Sequence, residues 1–189
     1  MKLILASSSP RRLELLASIG IIPAQILTPD VDETPLKQEK VRPYVERIAR
    51  LKAQAVHTQV SDAYVLAADT VVELGGKIVL KANTEEDARG ILTRLSGRRH
   101  RVYTSVCVIS PQGKESYCTA LTRLTLKRLS SEELEDFLAS KEWVGKAGAF
   151  SIQGRGTKFV KFISGSYPNV VGLPLYETDS LLKELDFRG

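Results

Sequence analysis

Four groups of residues in this 189-residue chain carry chemistry beyond what a core or a surface needs. The first is Ser7-Ser8-Ser9-Pro10-Arg11-Arg12, set between the apolar run Leu3-Ile4-Leu5-Ala6 and a helical pattern. Ser9 suits an N-cap and Pro10 a first helical position, so the segment reads as strand, tight turn and helix N-terminus. Free amides there favour an anion, whereas Arg11 and Arg12 oppose the helix dipole. Either an anion compensates for all of this, most simply a polyphosphate, or both arginines reach solvent or distant carboxylates. The second group is Asp69-Thr70, directly after the run Tyr64-Val65-Leu66-Ala67-Ala68. Its carboxylate either stands at the carboxyl end of a strand, where α/β sheets bind ligands, or forms a turn between two strand pieces. The third is Glu33, Lys52 and Lys81: a hard oxygen ligand for a metal and two ammonium groups for phosphates, or three solvated charges. The fourth is Gln153, in a segment (145–156) that holds four of the chain's 13 glycines. Glycines let backbone approach a ligand, and an amide can read a nucleobase edge; the alternative is a tight loop with a surface Gln.

The elements that would position these groups follow from hydrophobic period and punctuation. Residues 2–6 read as a short buried strand, and Pro10 to about Ile19 as a helix stopped by Gly20. Residues 24–36 read as a second strand running into an exposed acidic loop. From 43 to 60 the pattern is helical, with Val45, Ile48, Ala49, Ala55 and Val56 on one face. Lys52 shares that face, and an inward amine must find an anion or snorkel to water. Residues 64–74 form an apolar strand interrupted at Asp69-Thr70, and Gly75-Gly76 turns it into 77–81. Thr84 caps a helix that ends at Gly97, strands occupy 101–109 and 115–127, and Ser130 opens a short helix with a capping box. A strand at 159–163 and a helix from about 174 to 185 complete the chain. Two hairpins force antiparallel pairs into an otherwise alternating α/β order, so the fold class expected is α/β with a mixed twisted sheet flanked by helices.

Length suits a single domain over 1–189, with room for two lobes around a central cleft. Hydrophobic residues make up 43% and charged residues 26%, which excludes disordered and fibrous classes. No apolar run reaches the ~20 residues that cross a bilayer, and the N-terminal one is too short for a signal peptide. Cys107 and Cys118 lack disulfide-framework or zinc spacing, so a reducing cytoplasm is expected. The net charge of +5 points mildly toward phosphate-bearing partners. Basic residues do not interleave with aromatics, so stable nucleic-acid binding is not expected. A Walker phosphate loop, a dinucleotide fingerprint and a nucleophile elbow are all missing. His57 and His100 are too isolated for a metal site, and the run Arg98-Arg99-His100-Arg101 reads as a solvated turn. A homodimer is the default assembly.

Several motifs resemble the Maf family in order and spacing: Leu5 to Arg12, Ala68-Asp69-Thr70, Leu95-Ser96-Gly97-Arg98, Lys146 to Gly154 and Val171-Gly172-Leu173-Pro174. The resemblance spans essentially the whole chain. It implies a fold related to inosine triphosphatase and a hydrolase acting on acid anhydrides, a nucleoside triphosphate pyrophosphatase of the branch preferring dTTP and UTP. It implies Asp69 as the catalytic acidic residue, and Arg12, Thr70 and Gln153 as specificity positions. Ser7, Arg11, Lys52 and Lys81 correspond to phosphate-side positions, and Asp69 with Glu33 to ligands of a divalent cation, Mg²⁺ or Mn²⁺. Two positions depart from the family's usual residues: Phe150 replaces Tyr and Ala82 replaces Pro. The family name also carries an association with septum formation, so the rival expectation is a nucleotide- or nucleic-acid-binding regulator of cell division without turnover. A carboxylate beside an anion site speaks against a pure binder, because it repels phosphate unless a metal lies between.

Overall fold

The computed structural model describes residues 1–60 and 62–188. Among them seven strands form one mixed sheet: β1 (Leu3–Ala6), β2 (Gln25–Leu27), β3 (Tyr64–Leu74), β4 (Lys77–Val79), β5 (Arg99–Ile109), β6 (Glu115–Leu126) and β7 (Val160–Ser164). Their order is β2-β1-β3-β5-β6-β7, with β4 paired to β3. β1 runs parallel to β2 and β3, and every other pairing is antiparallel. Hairpins at Gly75-Gly76 and Pro111-Gln112-Gly113 make the β3–β4 and β5–β6 pairs, and β3–β5 and β6–β7 pair antiparallel across longer connections.

Among the described residues six α-helices accompany the sheet: α1 (Pro10–Ser18), α2 (Val41–His57), α3 (Glu85–Leu95), α4 (Ser131–Ala139), α5 (Tyr167–Val171) and α6 (Leu175–Glu184). On one face α2 buries Ala49, Ala53 and Val56 against Ile4, Ala6, Val65, Ala67 and Cys107. On the other, Leu181, Leu182 and Leu185 at the end of α6 meet Leu3, Leu5, Leu66, Val106 and Val108. The alternation of β1, β3 and β5 residues between these two clusters is the period of two that a sheet covered on both faces requires. A third cluster joins α3, α4, Trp143, Phe150 and Phe159 to the far ends of β3, β5 and β6. Thr84 and Ser130 each complete a capping box, with Asp87 and Glu133 as the returning carboxylates. Such caps contribute about 1 kcal/mol apiece.

Three expectations change. β3 is not interrupted at Asp69-Thr70: both residues stay in strand geometry because Ser105 and Thr104 of β5 pair with them. The run 98–101 is not a solvated turn, because β5 starts at Arg99. Alternation there points Arg99 and Arg101 outward and His100 inward, where it is 2% exposed and meets Phe150 edge-on. Burial holds the His100 imidazole down at about 4, against the weaker pull of the Arg98 backbone and Glu73, so the ring is neutral near pH 7. Finally, β2 covers only Gln25–Leu27 of the 24–36 segment. Among the described residues no helix is long and apolar enough to cross a membrane.

Candidate active site

β1 stops at Ala6, opposite Ala67, while β3 runs on to Leu74. β4 takes up pairing with β3 only from Val72, so the stretch between has one edge without a strand partner. A cavity of about 320 Å³ lies at this gap. Neighbouring strand residues face opposite sides, so Asp69 looks toward α2 and Thr70 toward α1. The cavity receives both.

On the α2 side, charges are paired tightly. The Lys52 ammonium donates to Asp69 Oδ1 at 2.8 Å and lies 2.7 Å from Glu33 Oε1. Lys81 Nζ stands 3.5 Å from Glu33 Oε2. Lys52 and Asp69 are nearly closed to water, with side chains 8% and 5% exposed. Glu33 is recruited from an irregular segment, tethered where the Tyr44 hydroxyl donates to its backbone carbonyl at 3.0 Å. Partial burial would raise the Glu33 carboxyl, but hydrogen bonds and charge from Lys52 and Lys81 leave it below the usual range. Burial, with the charges of Asp69 and Glu33, pushes the Tyr44 phenol far above its ordinary value, so it stays protonated.

On the α1 side the Arg12 guanidinium is held by three acceptors from three segments. Nε donates to the Gly172 carbonyl at 2.8 Å, Nη1 to Ser7 Oγ at 3.1 Å and Nη2 to Thr70 Oγ1 at 3.2 Å. Ser7 Oγ also accepts from the Ser9 amide at 3.1 Å, which leaves its proton available to a ligand. Ser9 stands at the N-cap, yet its side chain makes no capping bond, and no acidic residue lies in the first turn of α1. Burial lowers the pKa of Arg12, and Asp69 opposes the shift. Arg11 is also lowered by burial; its Nε is buried with no partner among the described residues, and Nη1 reaches only Ser151 Oγ at 3.5 Å. Lys146 lines the same wall, lowered by burial and then by the charge of Arg11. Among the described residues neither forms an ion pair, and Glu14 and Glu142 act only through longer-range charge.

The cavity therefore has a neutralised side, with two carboxylates against two ammonium groups, and a side of cations short of counter-charge. Of the residues singled out in the sequence, Ser7, Arg11, Arg12, Glu33, Lys52, Asp69, Thr70 and Lys81 line it. Gln153 does not: its neighbours Phe150 and Ile152 do, while its backbone N–H donates to Ser151 Oγ at 3.1 Å. Of the four glycines in 145–156, only Gly145 lines the cavity. Gly148, at φ 68°, packs so closely that a Cβ would fall 2.8 Å from Val72, and at Gly156 one would fall 2.2 Å from the Ser151 carbonyl. Those glycines serve contact within the protein rather than with a ligand. Lys146 was not singled out, because a lone lysine beside a glycine looks like any surface charge. A second hollow of about 430 Å³ shares Glu33, Asp69, Thr70 and Lys81 and continues along Tyr44, Leu80 and Asn83.

Among the described residues no three His, Cys, Asp or Glu side chains converge as a metal cage. Mg²⁺, however, commonly takes one or two carboxylates and completes its shell with water and substrate phosphates. Two carboxylates already converge here on one cation, Lys52. Asp69 Oδ1 is the only oxygen of that carboxylate engaged by the described residues, so Oδ2 is spare. The donor set fits a hard divalent ion. Burial pushes the Cys107 thiol up and keeps it protonated, which rules it out as a nucleophile.

Unspent cations, an uncapped helix N-terminus and a buried carboxylate beside them are the groups that binding and hydrolysing a polyphosphate would require. The chain belongs to the Maf family: the family model described as Maf-like protein matches residues 2–185. It is 51% identical over 187 residues to the dTTP/UTP pyrophosphatase of Agrobacterium fabrum, covering 96% of this chain and 90% of that protein. It is likewise 51% identical to the dTTP/UTP pyrophosphatase of Sphingopyxis alaskensis, covering 97% and 96%. A nucleoside triphosphate pyrophosphatase of Ehrlichia canis is 48% identical, covering 95% and 94%. Among solved structures, the Ham1 protein of Staphylococcus aureus superposes with TM-score 0.49 at 18% identity over 67% of this chain and 72% of that one, too slight a likeness to argue from.

Proposed function

We propose that this chain, as a single Maf-like domain, is a nucleoside triphosphate pyrophosphatase that hydrolyses dTTP and UTP to the monophosphate and pyrophosphate. One observation carries the reading: Arg11 and Arg12 line the same cavity as the carboxylates of Asp69 and Glu33. The names of relatives near 50% identity support the same reaction. A regulator that only bound nucleotides or nucleic acid would gain nothing from buried acid at an anion site. Two free thiols suit a cytoplasmic setting.

In this reading Ser7, the amides of the Ser7–Ser9 turn, Arg11, Lys81 and Lys146 bind the phosphate oxygens, and Lys52, 2.8 Å from Asp69 Oδ1, holds that carboxylate aimed at the gap. Asp69 and Glu33 would hold Mg²⁺ or Mn²⁺, which neutralises phosphate charge and acidifies water. A water directed at the α-phosphorus gives its proton to the acidic pair of Asp69 and Glu33. A new P–O bond forms there, the bond to the α–β bridging oxygen breaks, and pyrophosphate carries that oxygen away with its electron pair. Arg12, fixed by Ser7, Thr70 and Gly172, offers its remaining N–H groups to the substrate. Gln153 reads the base from the rim beside Phe150 and Ile152.

A panel of triphosphates incubated with Mg²⁺ or Mn²⁺ tests the assignment. Pyrophosphate is expected from dTTP and UTP at least about tenfold faster than from purine triphosphates, a discrimination that one specific hydrogen bond to the base can supply. Gln153→Glu, which can only accept at that edge, should erase the preference. Release of orthophosphate would make the chain a phosphatase instead, and equal rates for all bases would remove Gln153 from recognition.

A further inference from the structure

Arg12 is steadied from behind by a directional run of hydroxyls. Thr104 Oγ1 lies 2.9 Å from the Asn169 carbonyl and 2.9 Å from Thr70 Oγ1. A carbonyl only accepts, so the single Thr104 proton goes to Asn169. Thr70 must then give its own proton to Thr104, which leaves it only lone pairs to present to Arg12 Nη2. Turned the other way, the Thr70 proton would point at a guanidinium N–H, donor against donor. The terminal carbonyl is pinned in turn, since the Asn169 side chain donates to the Val102 carbonyl at 3.2 Å and to Thr122 Oγ1 at 2.9 Å. Thr104 and Asn169 are fully buried, and neither lines the cavity. Thr104 also stands in a row with Val102, Val106 and Val108, where a valine of the same shape would pack as well.

Resting on the activity proposed above, we infer that Thr104 is a positioning residue. Through Thr70 it sets the plane in which Arg12 meets the substrate. A hydroxyl in a valine row, aligned between a carbonyl and the Thr70 rotor, serves Arg12 rather than the core.

Thr104→Val keeps the shape and removes the donor, whereas Thr104→Ser keeps the donor. Thr104→Val is expected to lower kcat/KM for dTTP about tenfold, the effect of one lost hydrogen bond, and Thr104→Ser to recover most of it. In an Arg12→Ala background Thr104→Val should add nothing, because the hydroxyl would have no guanidinium to steady. Nitrogen-15 NMR gives a readout independent of turnover. The Arg12 Nη signals, identified by their loss in Arg12→Ala, should show hindered rotation in wild type and Thr104→Ser and free rotation in Thr104→Val. Unchanged Arg12 signals in Thr104→Val, a full loss of rate in Thr104→Ser, or an additive loss in the Arg12→Ala background would each overturn the inference. If Thr104→Val does not fold, Thr104→Cys, a weak donor of similar size, takes its place. If wild type releases no pyrophosphate, the proposed activity fails, and the NMR comparison still decides the role of Thr104.

Discussion

Asp69→Asn is expected to lose about a thousandfold in kcat for dTTP hydrolysis, the scale on which a positioned acid–base group contributes. Asn has the same shape, and its carbonyl oxygen can still accept from Lys52, so the 2.8 Å contact has a neutral replacement. What disappears is the negative charge and the spare oxygen facing the cavity. The fold should therefore persist, with a cooperative melt close to that of wild type by circular dichroism. Pyrophosphate release measured beside that melt separates a chemical loss from a structural one. Wild-type rates in Asp69→Asn would remove Asp69 from the reaction.

Lys52→Met should act first on stability. Its ammonium is enclosed between Asp69 and Glu33, and removing it leaves the Asp69 carboxylate buried without a counter-charge. Breaking a buried pair in this way costs about 3 kcal/mol or more at neutral pH, because the orphaned charge retains its desolvation cost. The same loss makes two converging carboxylates a stronger site for a hard cation. Millimolar Mg²⁺ or Mn²⁺ should therefore raise the melting temperature of Lys52→Met by several degrees more than that of wild type. Thermal melts with and without the cation, followed by the pyrophosphate assay, check both parts. A variant that melts like wild type and ignores the cation would show that Lys52 does not neutralise the acidic pair.

What could be read from the chain ahead of its coordinates follows from the range of the forces involved. The strand, serine turn and helix from Leu3 to Ser18 are encoded locally, by an apolar run, Pro10 at the first helical position and the helical period. Lys52 stood out because an amine on an apolar helical face is anomalous wherever the helix packs, and it is buried against two carboxylates. Continuity of β3 through Asp69 and Thr70 was hidden: the polar pair breaks the apolar run, and only Ser105 and Thr104, thirty-odd residues away, hold it in the ladder. His100 was misread for the same reason, since three flanking arginines mask a strand whose inward residue meets Phe150. Recruitment of Glu33 depends on Tyr44, Lys52 and Lys81 meeting an irregular segment, and no local pattern records that. Gln153 stands out in the sequence through its glycine-rich segment and its amide, but Gly148 and Gly156 there serve close packing within the protein, and Gln153 itself stays outside the cavity wall.

Hydrolysis of dTTP in ¹⁸O-labelled water, with both products weighed by mass spectrometry, reads the reaction at the atom where it happens. Attack at the α-phosphorus, the atom that Asp69 would serve, places one heavy oxygen in the monophosphate and none in pyrophosphate. Heavy oxygen in pyrophosphate, or labelled orthophosphate as the product, would contradict it.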